Sequence, residues 1–113
     1  MKTFSITLDK PRNLYLTNDS TAKVEEERGV SFFDFCKQPP GGDPLAYLAD
    51  MLWAFNMADD PQLTPLEARK IIRMCIVNAP PFLKAKRIRD LRDAVLAAGK
   101  AYEKEFLSGL KEE

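Results

Sequence analysis

The sequence predicts a mostly helical α+β protein in which a small N-terminal β-hairpin packs on a bundle of about four helices. Three observations predict it: alternating apolar residues at the start, helix-start signals at several later points, and apolar residues at helical spacing beyond residue 43. The length of 113 residues fits one domain. We expect that domain to span 1–113, with the hairpin in 1–17, short helices in 18–36 and a helical region in 43–107.

The hairpin is predicted from a period of two. Phe4, Ile6 and Leu8 alternate with small hydroxyl residues, so one face of this strand can pack while the other meets water. Residues 9–13 supply turn chemistry, and an extended pattern resumes over 14–17. Because a lone hairpin is marginal in water, it must lie on helices, join another strand or pair with a neighbouring chain. The last alternative would make the protein a homo-oligomer.

Two short helices are predicted to follow the hairpin. Asn18, Asp19 and Ser20 offer N-cap oxygens for the first helix, and Gly29 can take the left-handed conformation that ends it. Ser31 can cap one further turn. We expect the three phenylalanines of that turn to lie in the core; they are Phe32, Phe33 and Phe35.

Three longer helices complete the predicted bundle. Asp43 before Pro44 is a start signal for a helix that runs to about residue 56 or 57. Thr64, with Glu67 three residues later, matches a capping box for the next helix, in which Cys75 is a packing residue. The last helix is predicted over about 84–107. Its core-facing residues are Ile88, Leu91, Val95, Ala98, Tyr102 and Phe106.

Composition argues against enzymes and cofactors. The chain has no histidine, so it lacks the usual general base and the commonest zinc ligand. No glycine-rich phosphate loop is present, and the adjacent acids are read as solvated surface. Cys36 and Cys75 are isolated, which favours a reducing compartment such as the cytoplasm. We therefore predict a non-enzymatic protein without a cofactor or metal. We also predict no membrane span, because no apolar run in the sequence is long enough to form one.

The helix that begins at Pro44 is apolar on both sides. One side carries the regular core stripe, and the other carries residue types that are enriched in protein interfaces. Such a helix is either the centre of the bundle or packed against something outside it. The sequence leaves both alternatives open. Our prediction takes the second, a surface for a protein partner formed by Tyr47, Met51, Trp53 and Met57.

A basic stretch suggests an alternative function. Residues 84–93 contain five basic and two acidic side chains, which could contact a phosphate backbone in a small nucleic-acid-binding regulator. On a helical wheel, however, these charges surround the polar side instead of forming a stripe, and the acids can pair with the bases. The net charge of the whole chain is zero. Nucleic acid is therefore the less favoured partner.

The middle of the chain combines a helix that ends near Met51-Leu52-Trp53-Ala54, the connection Asp60-Pro61-Gln62-Leu63-Thr64, and a capped helix after it. In this pattern it resembles the tail assembly chaperones of long-tailed bacteriophages. Upstream, a strand pair and a Glu-rich helix ending at Gly29 look similar to the same family, so that the likeness covers about 4–77. It implies a non-enzymatic factor in the host cytoplasm that binds the tape measure protein and helps to recruit tail tube subunits.

Overall fold

The computed structural model describes residues 2–37 and 41–112, with side chains described up to Phe106. Its helices and strands confirm the predicted class, a mostly helical α+β protein with an N-terminal antiparallel hairpin. In chain order they are β1 (Phe4–Thr7), β2 (Pro11–Leu14), α1 (Asn18–Arg28), α2 (Phe32–Phe35), α3 (Pro44–Asn56), α4 (Pro65–Ile72), a π-helical turn (Arg73–Val77) and α5 (Pro81–Glu112). The buried apolar side chains of all these elements except α2 form one continuous cluster.

The hairpin packs on helices, which was one of its three predicted outcomes. On β1, Ile6 is buried while Ser5 and Thr7 are exposed, as the period of two predicts. β2 begins at Pro11, three residues earlier than the sequence analysis placed it. Proline is tolerated at the first position of a strand because no ladder bond is required of its nitrogen. The strand then pairs with β1 in the register Thr7 to Pro11 and Phe4 to Leu14.

The short helices begin and end at capping residues. Thr17 and Ser20 form a reciprocal capping box at the start of α1, one residue before the predicted caps. Gly29 ends α1 in the left-handed conformation, φ +69°, as predicted. Ser31 caps α2, also as predicted. The expectation for Phe33 is wrong: its side chain is 74% exposed, because residues three apart share a helix face and Phe33 points away from its neighbours on α2.

Helix α3 is the centre of the bundle. Asp43 accepts a hydrogen bond from the backbone N–H of Leu45 and Pro44 occupies the first turn, as predicted. Every residue from Met51 to Asn56 is buried, because α3 packs on α1, β2, α4 and α5. The helix is therefore covered on all sides along its second half.

Helices α4 and α5 lie against α3 and continue the core. Thr64 accepts from the N–H of Glu67, which confirms the predicted start of α4. The π-helical turn after α4 keeps Cys75 buried, as predicted. Helix α5 begins at Pro81, three residues before the predicted start, since a proline in the first turn loses no hydrogen bond. Of its predicted core positions, Leu91 and Ala98 are buried and Phe106 is half exposed.

A buried arginine joins the hairpin to the end of α3. Arg12 is 4% exposed, and its guanidinium donates two hydrogen bonds of 2.9 Å to the carboxylate of Asp9. It also donates to Asn56 Oδ1 at 2.7 Å and to Asp60 Oδ2 at 3.3 Å. Asn56 in turn donates to the carbonyl of Asn13 at 3.0 Å. We call Asp9, Arg12, Asn56 and Asp60 the Arg12 network; it satisfies polar groups that the packing of β2 on α3 takes out of water.

Removing Arg12 should destabilise the fold. We expect Arg12→Ala to lower the free energy of unfolding by about 2–4 kcal/mol, because it leaves buried acceptors without a donor; the partial exposure of Asp9 and Asp60 keeps the loss below that of a fully buried pair. The measurement is urea denaturation followed by circular dichroism. The matched control is Lys70→Ala, whose exposed ion pair with Glu67 should contribute about 0.5 kcal/mol or less. Equal effects of both substitutions would contradict the role of the network.

The same network should make stability depend on pH in the acid range. The hydrogen bonds from Arg12 hold the pKa of Asp9 below its ordinary value of 3.8. A carboxyl whose pKa is lower in the folded state stabilises the fold above its unfolded pKa, and that stabilisation is lost as the pH falls through the folded pKa. We therefore expect the unfolding free energy of the native protein to decrease below about pH 4, and Asp9→Asn to reduce this slope. An unchanged slope in Asp9→Asn would contradict this assignment.

Candidate functional site

Three of the four predicted partner-binding residues lie in the core. Met51, Trp53 and Met57 are 1%, 2% and 6% exposed. The prediction that they form an exposed apolar surface is therefore wrong. Tyr47, one turn nearer the start of α3, is half-buried and lies at the surface of the bundle.

Trp53 is covered by elements that come earlier in the chain. The ring of Phe35 on α2 meets the indole edge-on, with ring centroids 6.1 Å apart. The guanidinium of Arg28, at the end of α1, lies 5.0 Å from the centre of the indole and is held there by an ion pair of 3.0 Å with Asp50. These contacts cover the indole of Trp53, so the apolar surface of this part of α3 is buried within one chain.

The surface that remains beside Tyr47 is a groove between α3 and α5. We call it the α3/α5 groove; its volume is about 320 Å³, at the small end of the range for ligand pockets. Leu96 on α5 stands at its edge, 62% exposed. The lining residues are Tyr47, Leu48, Met51, Arg92, Val95 and Leu96. A groove of this volume has room for one or two apolar side chains.

The polar side chains that line this groove are Tyr47 and Arg92. The hydroxyl of Tyr47 donates a hydrogen bond of 2.6 Å to the backbone carbonyl of Cys36, which holds the ring in place. Burial raises the pKa of Tyr47, while the nearby charge of Arg92 opposes that rise. Burial also raises the pKa of Cys36 to about 11, so this thiol is protonated at neutral pH. Among the described residues, Arg92 is the one charged residue in the lining of the groove.

Sequence reasoning missed Leu96 and Arg92. Both lie outside the predicted core-facing stripe of the last helix, and their spacing of four places them on one face. That face borders α3 in the folded protein, which the spacing along α5 alone does not predict. The available signal was a leucine one turn after an arginine on an otherwise polar side of the helix. This pattern is too common to identify a binding site on its own.

The basic stretch at the start of α5 does not form a single surface. Lys86 pairs with Asp90 on its own helix at 2.7 Å, and Arg87 donates to the backbone carbonyl of Cys75 in the π-helical turn. Arg92 lines the α3/α5 groove. These side chains therefore point in different directions, as the helical wheel indicated.

Within residues 2–37 and 41–106, no group of three or more His, Cys, Asp or Glu side chains is placed to hold a metal ion. In the same part of the chain, no helix is both long enough and apolar enough to cross a membrane.

Because Trp53 lies in the core, its substitution should lower the stability of the fold, whereas substitution of an exposed interface residue should not. We expect Trp53→Ala to lower the free energy of unfolding by about 3–5 kcal/mol, because it leaves a cavity beside Phe35. Leu96→Ala, at an exposed position, should change it by about 0.5 kcal/mol or less. Chemical denaturation of both variants measures these changes. A Trp53→Ala protein as stable as the native one would contradict the core position of Trp53.

Comparisons with protein families, with curated proteins and with solved structures found no match to this chain. The likeness to tail assembly chaperones therefore stays an expectation from the sequence.

Proposed function

We propose that this protein is a non-enzymatic adaptor that holds an amphipathic segment of another protein in the α3/α5 groove. The observation that supports this most directly is Leu96, a large apolar side chain exposed beside a half-buried tyrosine in a concave site. Exposed apolar groups gathered in a groove are typical of surfaces that bind partners. Arg92 at the same groove adds a preference for a segment that carries an acidic residue near its apolar one.

The partner we propose is the tape measure protein of a long-tailed bacteriophage. This rests on the sequence resemblance over 4–77, which implies a tail assembly chaperone that acts in the host cytoplasm and helps to recruit tail tube subunits. A tape measure protein is long and helical, so amphipathic segments recur along it. The proposed groove accepts one such segment, whereas the buried Trp53 takes no part in binding.

The test uses segments of a long coiled-coil protein encoded immediately downstream of this chain, the gene position that a tape measure protein would have. Binding is measured by isothermal titration calorimetry with the native protein and with Leu96→Asp. We expect the substitution to weaken binding by about tenfold or more, because it places a carboxylate at a position that the bound segment would cover with apolar side chains. Arg92→Glu should weaken binding of segments that carry acidic residues.

The matched control is Phe33→Asp, which alters an exposed apolar residue on α2 that does not line the groove; Phe33 is 74% exposed and Leu96 62%. It should bind as the native protein does. Equal loss in Phe33→Asp and Leu96→Asp, or no binding by the native protein, would contradict the proposed site. Retention on DNA that falls steeply as salt rises would instead favour the nucleic-acid alternative.

A further inference from the structure

The two-stranded sheet has one sealed edge and one open edge. The outer edge of β2 faces the end of α3, where the N–H of Tyr15 donates to the carbonyl of Phe55 at 2.9 Å. The side chain of Asn56 donates to the carbonyl of Asn13 on the same edge. The outer edge of β1 has no comparable cover. Among the described residues, no backbone hydrogen bond outside the hairpin involves Ser5 or Thr7.

The direction of the backbone groups on β1 follows from those on β2. Because Asn13 turns its carbonyl toward α3, the Ser5 to Asn13 pair is one that exchanges no ladder hydrogen bonds. The two side chains of this pair are close enough for Ser5 Oγ to donate to Asn13 Oδ1 at 2.5 Å, as such pairs allow. By the same alternation, the N–H and carbonyl groups of Ser5 and Thr7 point away from β2, toward the open edge.

Nothing in the sequence of this edge protects it. From Thr3 to Leu8 there is no proline and no charge, and four of the six residues are of types enriched in strands: Thr3, Phe4, Ile6 and Thr7. Natural proteins usually block exposed edges with proline, lysine or a covering element, as β2 is blocked here by Pro11 and α3. An open, uncharged edge of this kind is a template for another strand.

The surroundings of the edge are self-complementary in charge. A groove of about 690 Å³ lies between β1 and α5, and its α5 wall runs from Leu83 to Ala97. Along that wall, Lys86 pairs with Asp90 within the chain, whereas Arg87 and Asp93 form no ion pair among the described residues. The wall is therefore neutral in total, with an unpaired basic residue toward one end and an unpaired acidic residue toward the other. An antiparallel copy of the same wall would set its acidic end against the basic end of the first.

We propose that β1 pairs antiparallel with β1 of a second copy of this chain, so that the two hairpins form a continuous four-stranded sheet across a two-fold axis beside Ile6. In this register Ser5 of each copy lies opposite Thr7 of the other, and each such pair exchanges two backbone hydrogen bonds. The interface is isologous, as closed dimers require. It involves β1 and not the α3/α5 groove, so it is independent of the proposed adaptor function.

The first test compares Ser5→Pro with Ser5→Ala by analytical ultracentrifugation. Both substitutions remove the hydroxyl that donates to Asn13, but only proline removes the N–H that points to the open edge. The native protein and Ser5→Ala should sediment at twice the chain mass of 12.8 kDa at micromolar concentrations. Ser5→Pro should raise the dimer dissociation constant by about 30-fold or more, because the two-fold axis removes two donors at once. A monomeric native protein, or a dimer that Ser5→Pro leaves intact, would overturn the proposal.

A second test fixes the register and does not depend on the proline variant folding. In the double variant Ser5→Cys, Thr7→Cys, the new thiols of the two copies lie directly opposite one another, with Cα atoms about 5.5 Å apart, a distance that a disulfide can span. Mild oxidation should give a covalent dimer on a non-reducing gel. In Ser5→Cys alone, the thiols are diagonal neighbours about 7–8 Å apart and should not cross-link. Cross-linking of both variants to the same extent, or of neither, would contradict this pairing.

Discussion

The burial of the second half of α3, from Met51 to Asn56, is the constraint on which the rest of the structure depends. A helix that is apolar all round is stable only when other elements enclose it, and here the hairpin, α1, α4 and α5 do so. The enclosure brings polar backbone groups of β2 against the end of α3, and the Arg12 network satisfies them. The same arrangement seals the outer edge of β2 and leaves β1 as the open strand of the hairpin.

Local signals in the sequence predicted most of the fold. Asp43 with Pro44, Thr64 with Glu67, and Gly29 each act through the backbone of their own helix end, so their effect does not depend on the rest of the chain. The start of β2 was missed because Pro11 is compatible with both a turn and the first residue of a strand. What decides between them is the contact of Arg12 with Asn56 and Asp60, more than 40 residues away.

The site was predicted less well, for a related reason. The composition of α3 shows that it has two apolar sides, but not which elements cover them. Trp53 is covered by Phe35 and Arg28, a contact that depends on how α1 and α2 fold back over α3. Leu96 is left exposed although its residue type is usually buried. Burial of particular side chains is a property of the packed structure, and periodicity alone cannot assign it.

The fluorescence of Trp53 tests most directly whether α3 is enclosed, since the chain contains no other tryptophan. The account predicts emission shifted to the blue of free tryptophan and insensitive to iodide in the native protein, with both properties lost in urea. Emission like that of free tryptophan, quenched by iodide without denaturant, would show an exposed indole and would contradict the account.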